Sequence, residues 1–169
     1  MQPLTEVDRA EITAANDRLS GQGFRVLGVA VRKGGDELLG GRSPELEENL
    51  TFIGLTGMLD PPRPEVASAI ADCHRAGIGV TMVTGDYGLT AEAIAHRIGL
   101  VQGKARVVSG EELEHLSDAQ LRQILHDRNG LVFARMMPEQ KLRLVETYKS
   151  LGHIVAVTGD GVNDAPALR

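Results

Sequence analysis

The segment that most constrains this chain is the apolar run Ile154-Val155-Ala156-Val157 together with the stretch Thr158-Gly159-Asp160-Gly161-Val162-Asn163-Asp164-Ala165-Pro166-Ala167-Leu168 directly after it. Four apolar, mostly β-branched residues read as a buried strand. Gly159 and Gly161 let the backbone turn sharply and approach a ligand without a Cβ in the way. Asp160 and Asp164 then stand at the carboxyl end of that strand, where open α/β sheets place their sites. Hard carboxylate oxygens beside a glycine turn suit Mg²⁺, which takes one or two carboxylates together with phosphate oxygens.

The rest of the chain fits such a sheet. From Leu50 onward strand-like and helix-like stretches alternate, which implies parallel pairing through βαβ units. Strands are expected at 51–59, 78–83, 107–108, 131–133 and 154–157. Helices are expected after Pro64, over 90–98, 111–116 and 118–126, and from Pro138. Pro64 and Pro138 suit a first helical turn, where a missing N–H costs nothing. Before Leu50, Thr5-Glu6-Val7-Asp8 offers a helix start, Gly21-Gln22-Gly23 an end, and Phe24 to Val31 a half-buried strand. The reading is therefore an α/β, Rossmann-like parallel sheet with flanking helices over 49–169, preceded by a partial α+β segment over 1–48.

Composition excludes several classes. Aromatic residues make up only 3%, so the core must be built from Val, Ile, Leu and Ala. No apolar run approaches the roughly 18 residues a membrane helix requires. A net charge of −5 without a Lys/Arg cluster argues against nucleic acid as a partner. Cys73 is the only cysteine, which leaves no internal disulfide and suits a reducing compartment. The five histidines show no ligand spacing, and Met82, Met136 and Met137 read as core fillers.

The eleven residues Thr158 to Leu168 resemble, almost letter for letter, the hinge-loop signature of P-type cation-transporting ATPases, members of the haloacid-dehalogenase superfamily of phosphotransferases. Three further segments agree and occur in the family's order. Thr84-Gly85-Asp86, after the strand Ile78 to Val83, looks like the TGD motif. Ala134-Arg135-Met136-Met137-Pro138-Glu139-Gln140-Lys141 resembles the family's segment of Ala-Arg, Pro and Lys. Asp60-Pro61-Pro62-Arg63 resembles the DPPR segment of the alkali and alkaline-earth pumps.

The resemblance implies roles. Thr84 and Gly85 would offer a hydroxyl and an amide to a phosphoryl oxygen, and Lys141 would face the phosphate as a point charge. Asp160 would be a Mg²⁺ ligand. Asn163 and Asp164 would hold the phosphoryl oxygens, the metal's waters and Lys141, with Asp164 also counted toward the metal. Arg135 would meet the nucleotide, Arg25 its phosphates or ribose, and Arg63 and Asp86 would stand near the site. ATP is the implied substrate and Mg²⁺ the implied cofactor.

The family's phosphorylated aspartate lies in an Asp-Lys-Thr-Gly-Thr run, and no such run occurs among these 169 residues. The chain is thus expected to be a cytosolic, soluble fragment of an integral membrane pump. Residues 1–48 would be the end of its nucleotide-binding domain and 49–169 an incomplete phosphorylation domain. Its partners would be the remaining pump, with the actuator domain, the membrane helices and a cation bound elsewhere. It would be inactive alone. The alternative is a stand-alone nucleotide- or phosphate-binding module lacking the nucleophile. In the family the aspartate's strand is central in the sheet, so a gap is expected beside its neighbours.

Overall fold

A computed structural model describes residues 3–32, 34, 48–126 and 130–159. The chain divides into two compact units, Met1–Asp60 and Pro61–Arg169.

In the first unit, helix α1 (Glu6–Ser20) begins where the sequence predicts. Thr5 caps it: the Asp8 N–H donates to Thr5 Oγ1 at 3.2 Å, and the Thr5 N–H donates back to Asp8 Oδ2 at 2.8 Å. Two orphan donors at the helix start are thereby satisfied. Strands β1 (Arg25–Val31) and β2 (Thr51–Met58) pair antiparallel, from Arg25 opposite Met58 to Val31 opposite Thr51, with an irregularity between Val29 and Ala30. Ile12, Ala15 and Leu19 of α1 line a groove with Phe52 and Leu55 of β2. This pairing corrects one expectation. The sequence pattern makes 51–59 the opening strand of a parallel sheet. The ladder with β1 instead draws β2 into the first unit, and the units divide at 60/61.

The second unit is a three-layer α/β arrangement. Helix α2 (Pro64–Arg75) precedes β3 (Thr81–Val83), and α3 (Gly88–Arg97) precedes β4 (Arg106–Ser109). Helices α4 (Gly110–His115) and α5 (Asp118–Leu125) come next, then β5 (Leu131–Ala134) and α6 (Pro138–Ser150). The sheet order is β3-β5-β4, all parallel. Every residue of the central strand β5 is buried, as a strand covered on both faces requires.

The faces of β5 point into two cores. Val132 and Ala134 join Ile70 of α2 and Ala91, Ala95 and Ile98 around α3. Leu131 and Phe133 join Leu113, Leu121, Leu125 and Leu144 of the helices on the other side. Phe133 is the only aromatic residue in these cores that is fully buried, so aliphatic packing dominates, as the composition predicts.

Two expected strands differ. The strand expected over 78–83 begins only at Thr81, because β5 begins at Leu131, opposite Thr81, while Ile78 stays 56% exposed. Residues 154–157 form no strand, and Ile154 is fully exposed. Backbone groups become a strand only against a partner, and among the described residues none pairs with this segment or with the outer edge of β3.

Candidate phosphoryl-binding site

The site is built where β3 and β5 end side by side. The Thr84 N–H donates to the Phe133 carbonyl at 2.8 Å, which extends the ladder one residue beyond β3. The chain then turns on itself. The Thr84 hydroxyl donates to Asp86 Oδ2 at 3.1 Å and accepts from the Asp86 N–H at 3.1 Å. Short polar side chains close turns in this way. Gly85 lies exposed at the tip, and a Cβ placed on it would meet no atom of the described residues within 4 Å, which leaves room on this side of the turn for an anion as far as they are concerned.

The neighbouring segment is pinned to the same turn. The Arg135 N–H donates to the Asp86 carbonyl at 2.9 Å, and the Met136 N–H donates to the Thr84 carbonyl at 3.0 Å. To make both bonds Arg135 adopts a left-handed backbone with φ of 56°. That conformation costs a non-glycine residue about 1–2 kcal/mol, and residues held so cluster at functional sites. The Arg135 guanidinium lies over the Tyr87 ring, with Cζ 5.4 Å from the ring centroid, a cation–π contact.

Lys141 stands on the first turn of α6, its N–H donating to the Met137 carbonyl at 3.2 Å. It is half-buried. The turn beneath it is capped by a side chain: Gln140 Oε1 accepts from the Met137 N–H at 2.9 Å.

The structure thus brings Thr84, Gly85, Asp86 and Arg135 together, and places Lys141 on the turn that Arg135 leads into. Arg25 opens β1 in the first unit and is exposed. Arg63 precedes α2 as its cap residue and is also exposed. No described bond ties the Arg63 side chain to the Thr84 turn, and Arg25 belongs to the other unit. Asp160, Asn163 and Asp164 lie outside the described residues. Among the described residues no group of three His, Cys, Asp or Glu side chains is set to hold a metal. A glycine turn at a strand end and a lysine on the first turn of α6 are donor types that suit an oxyanion such as phosphate, while the Thr84 hydroxyl would have to leave its bond to Asp86 to serve as a third donor. The carboxylates expected to hold Mg²⁺ are Asp160 and Asp164, outside the described residues.

Three residues of this neighbourhood are not evident from the sequence: Tyr87, Gln140 and Gly110. Tyr87 and Gln140 adjoin motif residues, which is the one signal they offer. Gly110 carries none, because its closeness to Arg135 arises only when β4 and β5 pair.

Comparison with known proteins shows the family. A family model described as "haloacid dehalogenase-like hydrolase" matches residues 6–169. A cation-transporting ATPase (pma1) of Synechocystis is 45% identical over 167 residues, covering 98% of this chain and 18% of that protein. A calcium-transporting ATPase of Bacillus subtilis is 43% identical over 164 residues, covering 95% of this chain and 18% of the relative. Calcium-transporting ATPase 1 of Saccharomyces cerevisiae is 41% identical over 170 residues, covering 99% and 18%. The chain therefore spans under a fifth of the length of these relatives. With the model matched across both units and the Thr84 turn at the carboxyl end of a parallel sheet, the chain belongs to the haloacid dehalogenase-like hydrolase family.

Proposed function

We propose that this chain is part of the cytosolic machinery of an ATP-driven P-type cation pump and that it holds the phosphoryl group being transferred. The observation that carries the proposal is the pair of backbone bonds from Arg135 and Met136 to Asp86 and Thr84. They lock two segments, each resembling a phosphate-binding motif, into one site. Identities of 41–45% to cation- and calcium-transporting ATPases over nearly the whole chain support the same reading.

In phosphoryl transfer a protein mainly positions groups and neutralises charge. Thr84 and Gly85 would present donors to the phosphoryl oxygens, and Lys141 would supply the fixed cation. Arg135, steadied by Tyr87, would meet the nucleotide, with Arg25 and Arg63 contributing from their own positions. Asp160 and Asp164 would hold Mg²⁺, which neutralises phosphate charge when bound, and Asn163 would orient the phosphoryl oxygens. Residues up to Asp60 would belong to the nucleotide-binding domain and those after it to the phosphorylation domain.

On this reading the accepting aspartate would belong to a strand outside these 169 residues, among which no Asp-Lys-Thr-Gly-Thr run occurs. Among the described residues neither the outer edge of β3 nor the run 154–157 has a strand partner, which supports a place for that strand between them. This polypeptide by itself should therefore bind Mg²⁺ and phosphate without becoming phosphorylated. Incubation with γ-labelled ATP and Mg²⁺ tests this: no acid-stable, hydroxylamine-sensitive label is expected, and its appearance would overturn the assignment. Replacing Asp160 by Ala should remove the Mg²⁺ dependence of phosphate binding.

A further inference from the structure

We infer that Gln140 is a positioning residue for Lys141, and that Gly110 is the surface against which it works. The inference rests on the phosphate role proposed for Lys141. Gln140 is one of three buried polar or charged side chains among the described residues, at 9% exposure. A buried amide is costly unless its polar atoms are paired, and Gln140 has partners for both ends of its amide. Its Oε1 accepts from the Met137 N–H at 2.9 Å, while Nε2 donates to the Gly110 carbonyl at 3.0 Å and to Glu114 Oε1 at 2.9 Å. One side chain thus ties the first turn of α6, which carries Lys141, to α4.

Gly110 completes the device. A Cβ there would collide with the Arg135 carbonyl oxygen and stand 2.7 Å from Gln140 Oε1. The left-handed Arg135 turn and the Gln140 amide therefore meet at a position only glycine can occupy. On its other side the same turn is bonded to Thr84 and Asp86. A continuous chain of contacts runs from Thr84 through Arg135 and Gly110 to Gln140, and Lys141 is the next residue. The described hydrogen bonds of Gln140 go to Met137, Gly110 and Glu114, none of them in the turn at Gly85. Its effect on an anion there must pass through the placement of α6.

The test measures the affinity of the whole chain for inorganic phosphate with Mg²⁺, alongside its melting temperature. Gln140→Glu keeps the acceptor for the Met137 N–H but sets a carboxylate against the Gly110 carbonyl and the Glu114 carboxylate. Phosphate binding should weaken roughly tenfold, the effect of losing about one charge-assisted hydrogen bond. The exchange Gln140→Glu with Glu114→Gln restores the amide–carboxylate pair at unchanged net charge but leaves the Gly110 carbonyl without its donor, so it should recover part of the lost affinity. A role confined to packing would not show that recovery at matched melting temperature. Unchanged affinity in Gln140→Glu, or an exchange variant no better than Gln140→Glu, would overturn the inference. Should Gln140→Glu fail to fold, the exchange variant decides alone: it must bind phosphate within a few-fold of the unaltered chain. Lys141→Ala separates the two levels. If it leaves phosphate affinity unchanged, the function proposed for Lys141 fails. If it weakens binding while the Gln140 variants do not, only the positioning role fails.

Discussion

The backbone N–H of Arg135 donates to the carbonyl of Asp86 at 2.9 Å. This single bond joins two segments that lie far apart in the chain, and it forms because β3 and β5 are parallel neighbours that end at the same level. Arg135 reaches it only by entering the left-handed region at φ of 56°.

That conformation gives a sharp prediction. Arg135→Ala and Arg135→Gly both remove the guanidinium over Tyr87, so their difference isolates the backbone. The glycine variant should be about 1 kcal/mol more stable than the alanine variant, since only glycine adopts positive φ without a Cβ penalty. Equal stabilities in urea denaturation would contradict a left-handed Arg135.

Gly110→Ala should cost about 1–3 kcal/mol, the range for forcing an extra methyl into packed surroundings, because its Cβ meets the Arg135 carbonyl. Gly85→Ala should leave stability nearly unchanged, since nothing among the described residues lies within 4 Å of the added carbon and the backbone there is not left-handed. It should nevertheless weaken phosphate binding by crowding the open turn. Thermal denaturation and phosphate titration of the two variants check both halves.

Thr84→Ser keeps the hydroxyl that closes the turn with Asp86, whereas Thr84→Val leaves the Asp86 N–H without its acceptor. Valine should cost about 1 kcal/mol and serine much less. If valine is tolerated as well as serine, the turn does not depend on that hydroxyl.

Tyr148 sets an alkaline limit. Burial raises its pKa above the ordinary 10.0, partly opposed by its hydrogen bond with Thr81. The folded state therefore favours the neutral phenol. That contribution is fully present below the unfolded pKa, near 10, and is lost as pH rises through the higher folded value. Stability measured by denaturant should fall between about pH 9 and pH 11 more steeply in the unaltered chain than in Tyr148→Phe. Parallel curves would refute it.

How much of this is legible in the sequence differs from element to element. Pro64, Pro138 and Thr5 mark helix starts through local chemistry, and α1, α2 and α6 begin where those residues place them. Leu131-Val132-Phe133 is apolar without alternation and forms the central strand, buried on both faces. Expectations fail where structure depends on a partner. Residues 51–58 carry the same apolar signal whether they pair parallel with a later strand or antiparallel with β1, and only pairing decides. Residues 154–157 have strand composition but no described neighbour to bond. Within the site, Thr84, Gly85, Asp86, Arg135 and Lys141 are visible because motif chemistry is local. Gly110 is not, since the contact that demands glycine joins residues from different strands.

The central claim is that the Thr84 turn and the start of α6 together hold a phosphoryl group. An amide NMR titration of this chain with Mg²⁺ and inorganic phosphate tests it most directly. The account predicts saturable shifts centred on Thr84, Gly85, Arg135 and Lys141, abolished in Lys141→Ala. Shifts confined to other parts of the chain, or none at these four residues while the protein remains folded, would contradict it.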